Sequence, residues 1–139
     1  MTEQIRVLLV DDEPAVVETT EALLSDEFTV TSASSGEAAL AALGCGTFDV
    51  ICTDFNMPGM TGAELLRRAL EAAPHLGSVL VTGYREYSSR TDRVHGSYLL
   101  LLKPYDPQAL IELVRRAGAS ARLKQQLRAI NPSLARKPA

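Results

Sequence analysis

The sequence predicts an α/β fold: an open, doubly wound parallel sheet of five strands with helices on both faces. Three observations carry this. Apolar runs of strand length alternate five times with stretches of helical periodicity. The first run, Ile5-Arg-Val-Leu-Leu-Val10, is almost continuously apolar, as strands covered on both faces are. The helical stretches open on start signals such as Glu13-Pro14, because proline suits the first helical position, where its missing N–H has no intrahelical partner to lose.

Each element follows in order. After Pro14, the residues Val16, Val17, Thr20, Leu23 and Leu24 share one helical face. Phe28 to Ala33 alternates and is rich in β-branched residues, which suits an edge strand with one wetter face. Ser34-Ser-Gly-Glu37 is a capping box, and Gly44 is the expected stop of its helix, leaving Cys45 in a turn. Phe48 to Thr53 forms the third strand and ends at Asp54. Thr61-Gly-Ala-Glu64 is a second capping box, and Pro74 closes the helix that follows. Ser78 to Thr82 is the fourth strand. Residues 84 to 97 hold few large apolar groups and read as a short, weakly anchored helix. Tyr98 to Leu102 is the fifth strand, ending at Lys103-Pro104. Asp106-Pro107 then starts a last helix, which Gly118 is expected to end or kink. Leu123, Leu127 and Ile130 continue an apolar stripe, and 131 to 139 reads as a frayed end.

Composition narrows the function classes. At 139 residues and 15.0 kDa the chain holds one core and no second domain. A net charge of −3 gives no global electrostatic case for nucleic acid or an anionic membrane. The last 27 residues carry +7 and contain no acid, which leaves −10 on residues 1 to 112. An acidic body suits a cation site; the basic end reads as a solvated helix. The two cysteines, Cys45 and Cys52, are neither a disulfide framework nor a zinc site. Without an apolar leader or a run of membrane-spanning length, a reducing, cytoplasmic compartment is expected. His75 and His95 lack partners at ligand spacing and read as surface residues.

Parallel strands put their C-terminal ends on one edge. Here those ends are Asp11-Asp12, Asp54, Thr82 and Lys103. In the strand order 2-1-3-4-5 the crevice lies between strands 1 and 3, where Asp12 and Asp54 face each other. Three crowded carboxylates repel, and a hard divalent cation such as Mg²⁺ relieves that repulsion. Lys103 offers a point charge for a phosphate or for Asp54, and Thr82 offers a hydroxyl. These are the parts of a phosphoryl-transfer site with a carboxylate nucleophile. Without His, Cys or Ser at a strand end, acyl transfer is disfavoured.

Asp11-Asp12, Asp54 with Met57-Pro58 and Gly62, Thr82-Gly83 and Lys103-Pro104, in this order and spacing, resemble the receiver domain of two-component response regulators, a flavodoxin-like fold. The resemblance covers residues 4–118, leaving 119–139 as a basic helical extension and tail. It implies that Asp54 accepts a phosphoryl group from a sensor histidine kinase or phosphotransfer protein. It implies Mg²⁺ held by Asp12, Asp54 and the backbone carbonyl of Asn56, with Asp11 acting through water. Thr82 and Lys103 would bind the phosphoryl oxygens. Such a protein is a switch rather than an enzyme, with only slow self-dephosphorylation. Its output is binding or assembly, through a homodimer or an effector.

Two departures stand out. Many family members have an aromatic residue three positions before the lysine, where this chain has Leu100, with Tyr98 five before. Residues 84 to 97 are also unusually polar for the helix that precedes strand 5. Other readings remain open. A phosphatase or mutase of the haloacid dehalogenase type needs a second aspartate where Asn56 stands. A docking module would leave Asp54 unmodified. A receiver cut from a longer regulator would have an enzymatic output domain elsewhere.

Overall fold

The computed structural model describes residues 3–83 and 98–130. The segment 84–97, where a short helix is expected, and the end 131–139 lie outside the described residues, as does His95. Five parallel strands form one sheet in the order β2-β1-β3-β4-β5. They are β1 (Arg6–Val10), β2 (Thr29–Ala33), β3 (Val50–Asp54), β4 (Gly77–Gly83) and β5 (Leu99–Lys103). The described helices are α1 (Pro14–Leu24), α2 (Gly36–Cys45), α3 (Gly62–Ala72) and α4 (Pro107–Ile130).

The side-chain alternation of β1, β3 and β4 divides the core into two layers. Leu8, Ile51 and Leu80 face one way and pack with Leu65 and Leu66 of α3 and Ala39 of α2. Val7, Cys52, Val79 and Val81 face the other way and pack with Leu24 of α1 and with Leu110 and Val114 of α4. β3 is buried at every position because it is the central strand. β2 is an edge strand and is largely exposed, as its alternation implied.

Four local expectations need correction. Ser35, not Ser34, caps α2: its backbone is extended and its Oγ accepts the Ala38 N–H at 3.1 Å. Glu37 then stands one position too early to close a capping box. Gly44 does not stop α2, which runs on to Cys45 and ends at Gly46. Nothing lies within 4 Å of where a Cβ at Gly44 would sit. It is an exposed helical glycine, tolerated at about 1 kcal/mol. Gly118 does not end α4, which runs on to Ile130. A Cβ at position 118 would meet Ile5 Cδ1 at 2.6 Å, so the missing side chain lets the helix lie close on Ile5, the residue before β1. His75 is half-buried rather than on the surface, with Nε2 3.3 Å from the Phe48 carbonyl oxygen.

The second capping signal holds in part. Thr61 Oγ1 accepts the Glu64 N–H at 3.2 Å, while Glu64 turns to Arg67 and Arg68. At the start of α4, the Asp106 carboxylate accepts the Gln108 N–H at 2.9 Å.

Helix α4 continues past the expected boundary at 118. Ala121 is fully buried. Arg122 donates to the carbonyls of Glu3 (2.6 Å) and Gln4 (2.7 Å) and pairs with Asp49 at 3.2 Å. Leu123, Leu127 and Ile130 are exposed, at 55%, 44% and 80%. At 100° per residue they lie opposite the buried side formed by Leu110, Val114, Ala117 and Ala121. No helix among the described residues is long and apolar enough to cross a membrane.

Candidate functional site

The C-terminal edge of the sheet gathers the predicted residues because parallel strands all end there. Asp11 directly follows β1, and Asp54 and Lys103 are the last residues of β3 and β5. Carboxylate oxygens of Asp11, Asp12 and Asp54 all lie within 4.8 Å of one another. Lys103 crosses over β4 to meet them, with Nζ 2.7 Å from Asp54 Oδ1. The Lys103 side chain is 43% exposed, so the ammonium is reachable from solvent, while the Asp54 side chain is 9% exposed.

Short backbone contacts hold Asp54 in place. The Phe55 N–H donates to the Val81 carbonyl at 2.8 Å, continuing the β3–β4 ladder beyond Asp54. The Gly62 N–H donates to the Phe55 carbonyl at 2.9 Å, which folds the Asn56–Met60 loop back onto the strand end. Gly59 turns that loop with a φ of 76°, a region that favours glycine. Asn56 is exposed beside Asp54. The Lys103–Pro104 peptide is cis.

Asp11 and Asp12 do not cap α1. Glu13 is the N-cap and makes no side-chain cap bond. The Asp11 Oδ1 atom instead accepts the Glu13 N–H at 3.0 Å, bracing the turn before the helix. Burial pushes the Asp11 carboxyl above its ordinary value; the Glu13 N–H opposes this, and the charge of Asp54 adds to it. For Lys103, burial works against the charged form. The hydrogen bond and charge of Asp54, with Asp11 behind it, outweigh burial and raise its pKa. Among the described residues, the edge therefore carries three crowded carboxylates and the Lys103 ammonium. All-oxygen donors at this separation fit a hard divalent ion such as Mg²⁺.

Of the predicted residues, Asp11, Asp12, Asp54 and Lys103 converge. Thr82 stands on the adjacent strand, where Asp54 is in register with Val81 and Lys103 with Gly83. Thr82 is 1% exposed, and its hydroxyl donates to the Gly83 carbonyl at 3.2 Å.

Sequence reasoning passed over two residues here. Tyr105 and Thr20 line the same small cavity as Asp11, Asp54 and Lys103. The available signals were a threonine on an otherwise apolar helix face and an aromatic residue two positions after the lysine.

Known proteins resemble this chain in sequence and in fold. A family model described as "Response regulator receiver domain" matches residues 7–115. The chemotaxis protein CheY of Pseudomonas aeruginosa is 37% identical over 117 residues, covering 81% of this chain and 94% of that protein. The hydrogenase transcriptional regulatory protein HoxA of Cupriavidus necator is 35% identical over 94% of this chain. This chain spans only 29% of HoxA's length. A response regulator receiver domain protein from Clostridium thermocellum superposes with a TM-score of 0.71 at 27% identity, over 86% of this chain and 98% of that one. A strand order of 2-1-3-4-5, an acidic edge closed by a lysine, and a family match over most of the described residues agree: the chain belongs to the response regulator receiver domain family of two-component signalling.

Proposed function

We propose that Asp54 accepts a phosphoryl group from a phosphohistidine on a sensor histidine kinase or phosphotransfer protein. The observation that carries this is the Asp54–Lys103 pair at 2.7 Å inside the carboxylate cluster. It puts a nucleophilic oxygen and a solvent-reachable, phosphate-binding cation on the same edge of the sheet. An Asp54 oxygen attacks phosphorus in line with the departing imidazole nitrogen. The P–N bond breaks, a P–O bond forms, and the imidazole takes up a proton.

Asp12 and Asp54, with the Asn56 carbonyl, would hold Mg²⁺, and Asp11 would support the ion through water. When bound, the ion offsets charge that develops on the phosphoryl oxygens. Lys103 leaves Asp54 for a phosphoryl oxygen, and the Thr82 hydroxyl leaves the Gly83 carbonyl for another. The modified Asp54 carries roughly −1.5 to −2 charges where it carried one. That change biases a two-state surface toward binding an effector, an output domain of a longer regulator, or a second copy. Slow hydrolysis of the acyl phosphate resets the switch.

Intact mass after incubation with Mg²⁺ and acetyl phosphate tests this. One base-labile phosphoryl on the wild type and none on Asp54→Ala is the expected result. No gain on the wild type in the presence of bound Mg²⁺ would favour a docking module instead.

A further inference from the structure

At the N-terminal edge of the sheet, away from the carboxylates, α4 and the starts of β4 and β5 border a cavity of about 250 Å³. By strand rise it stands about 13 Å along β5 from Lys103. Leu76, Leu99 and Ala117 give it an apolar wall. Backbone fixes its shape: a Cβ at Gly77 would lie 2.5 Å from the Ala117 carbonyl oxygen, so the missing side chain lets α4 lie close on β4. The volume corresponds to about eight waters, room for one ring bearing an acidic group.

Polar groups of α4 border the same cavity in a ladder. Arg116, Ser120 and Lys124 line it, each about one turn beyond the last. The neighbouring arginines are neutralised: Arg115 pairs with Glu27 and Glu112, and Arg122 with Asp49. Arg116 and Lys124 are exposed and have no acidic partner among the described residues. No acid follows Glu112 in the chain. A second observation points to a ligand. Ser78 lines this cavity and is buried, and its Oγ has no hydrogen-bond partner in the structure. An unpaired buried hydroxyl destabilises the free chain, and a ligand oxygen that pairs with it removes that cost.

We infer that this cavity binds a small organic anion. Arg116, Ser120 and Lys124 hold its carboxylate or phosphate-ester group, a compact apolar body covers Leu76, Leu99 and Ala117, and an oxygen reaches Ser78. The chain's own last residues, with Arg136 and Lys137 and no acidic side chain, carry the wrong charge to fill it. Nothing in this depends on Asp54 as phosphoacceptor.

The experiment titrates the full chain with benzoate, phenyl phosphate, benzamide and inorganic phosphate, read by backbone amide shifts in NMR. Benzoate or phenyl phosphate should move the amides of Ser78, Leu99 and Ser120 with a Kd on the order of a millimolar, as so small a ligand allows. The tighter of the two identifies the acidic group. Benzamide lacks the charge and inorganic phosphate lacks the apolar body, so each should bind more weakly, by about fivefold. Arg116→Gln and Lys124→Gln should each weaken the bound acid about fivefold, the size of one exposed charge contact, and leave the melting midpoint of the free chain unchanged. Ser78→Ala should weaken it about threefold while the free chain melts no lower. Benzamide or inorganic phosphate matching both ring acids would show general attraction instead of a site and overturn the proposal. Equal affinities across the three variants would overturn it, as would amide shifts scattered over the surface instead of gathered at this cavity. A lower melting midpoint in both glutamine variants would make these cations structural and overturn it as well.

Discussion

Gly62 sits against the backbone of Asp54: a Cβ at position 62 would lie 2.2 Å from the Asp54 carbonyl oxygen and 2.9 Å from Phe55 Cα. Backbone cannot swing aside as a flexible side chain can. The first residue of α3 therefore fixes how closely the helix approaches the candidate phosphoacceptor. Gly62→Ala should cost about 1–3 kcal/mol as an overpacked site, read by urea denaturation. It should also slow phosphoryl gain on Asp54. A variant with wild-type stability and rate would show that the loop yields freely.

Asp11 gives the pH prediction. Its raised pKa means that the protonated form favours folding below the unfolded-state pKa. That contribution is lost as pH rises through the folded-state pKa, so at neutral pH and without Mg²⁺ the charge works against the fold. Asp11→Asn keeps an acceptor for the Glu13 N–H and removes the charge. Its melting midpoint should exceed that of the wild type at pH 7.5 in EDTA, and the difference should close toward pH 3.5. Added Mg²⁺ should raise the wild-type midpoint more than the variant's. A midpoint below wild type at neutral pH would contradict this account.

At the opposite edge of the sheet, Arg122 and Asp49 predict where the folding unit ends. Asp49 is 7% exposed and accepts the Arg6 N–H at 2.9 Å as well as Arg122. Arg122→Ala would leave this carboxylate with a single described donor and remove donors from two N-terminal carbonyls. A loss of about 2 kcal/mol is expected, by chemical denaturation. A chain ended at Gly118 should lose at least as much, because it also gives up the buried Ala121. Equal stability of the truncated and full chains would make the stretch after 118 a passive tail.

The two thiols should differ under native conditions. Cys52 is fully enclosed, and burial pushes its pKa up to about 12, with Asp11 and Asp54 adding to it. Cys45 is exposed at the end of α2. Iodoacetamide at pH 8 should therefore add one group to the folded protein, at Cys45, and two in urea. Modification of Cys52 in the folded state would mean that β3 opens far more often than its burial implies.

The sequence alone determined the alternation of strands and helices, the edge character of β2, and the convergence of Asp11, Asp12, Asp54 and Lys103. These follow from local periodicity and from one rule, that parallel strands end on the same edge. Helix ends were less legible. Ser34 and Ser35 offer the same hydroxyl, and only the backbone angles chose between them. Gly44 and Gly118 carry the same stop signal; the first continues a helix in open space and the second packs on Ile5. What only the tertiary structure decided lies between elements distant in sequence. Thr20 and Tyr105 line one cavity with Asp11 and Asp54, Arg122 meets Asp49 and the carbonyls of Glu3 and Gln4, and Gly62 meets the Asp54 backbone. No periodicity encodes such pairs, because each depends on the distance and angle at which two finished elements pack.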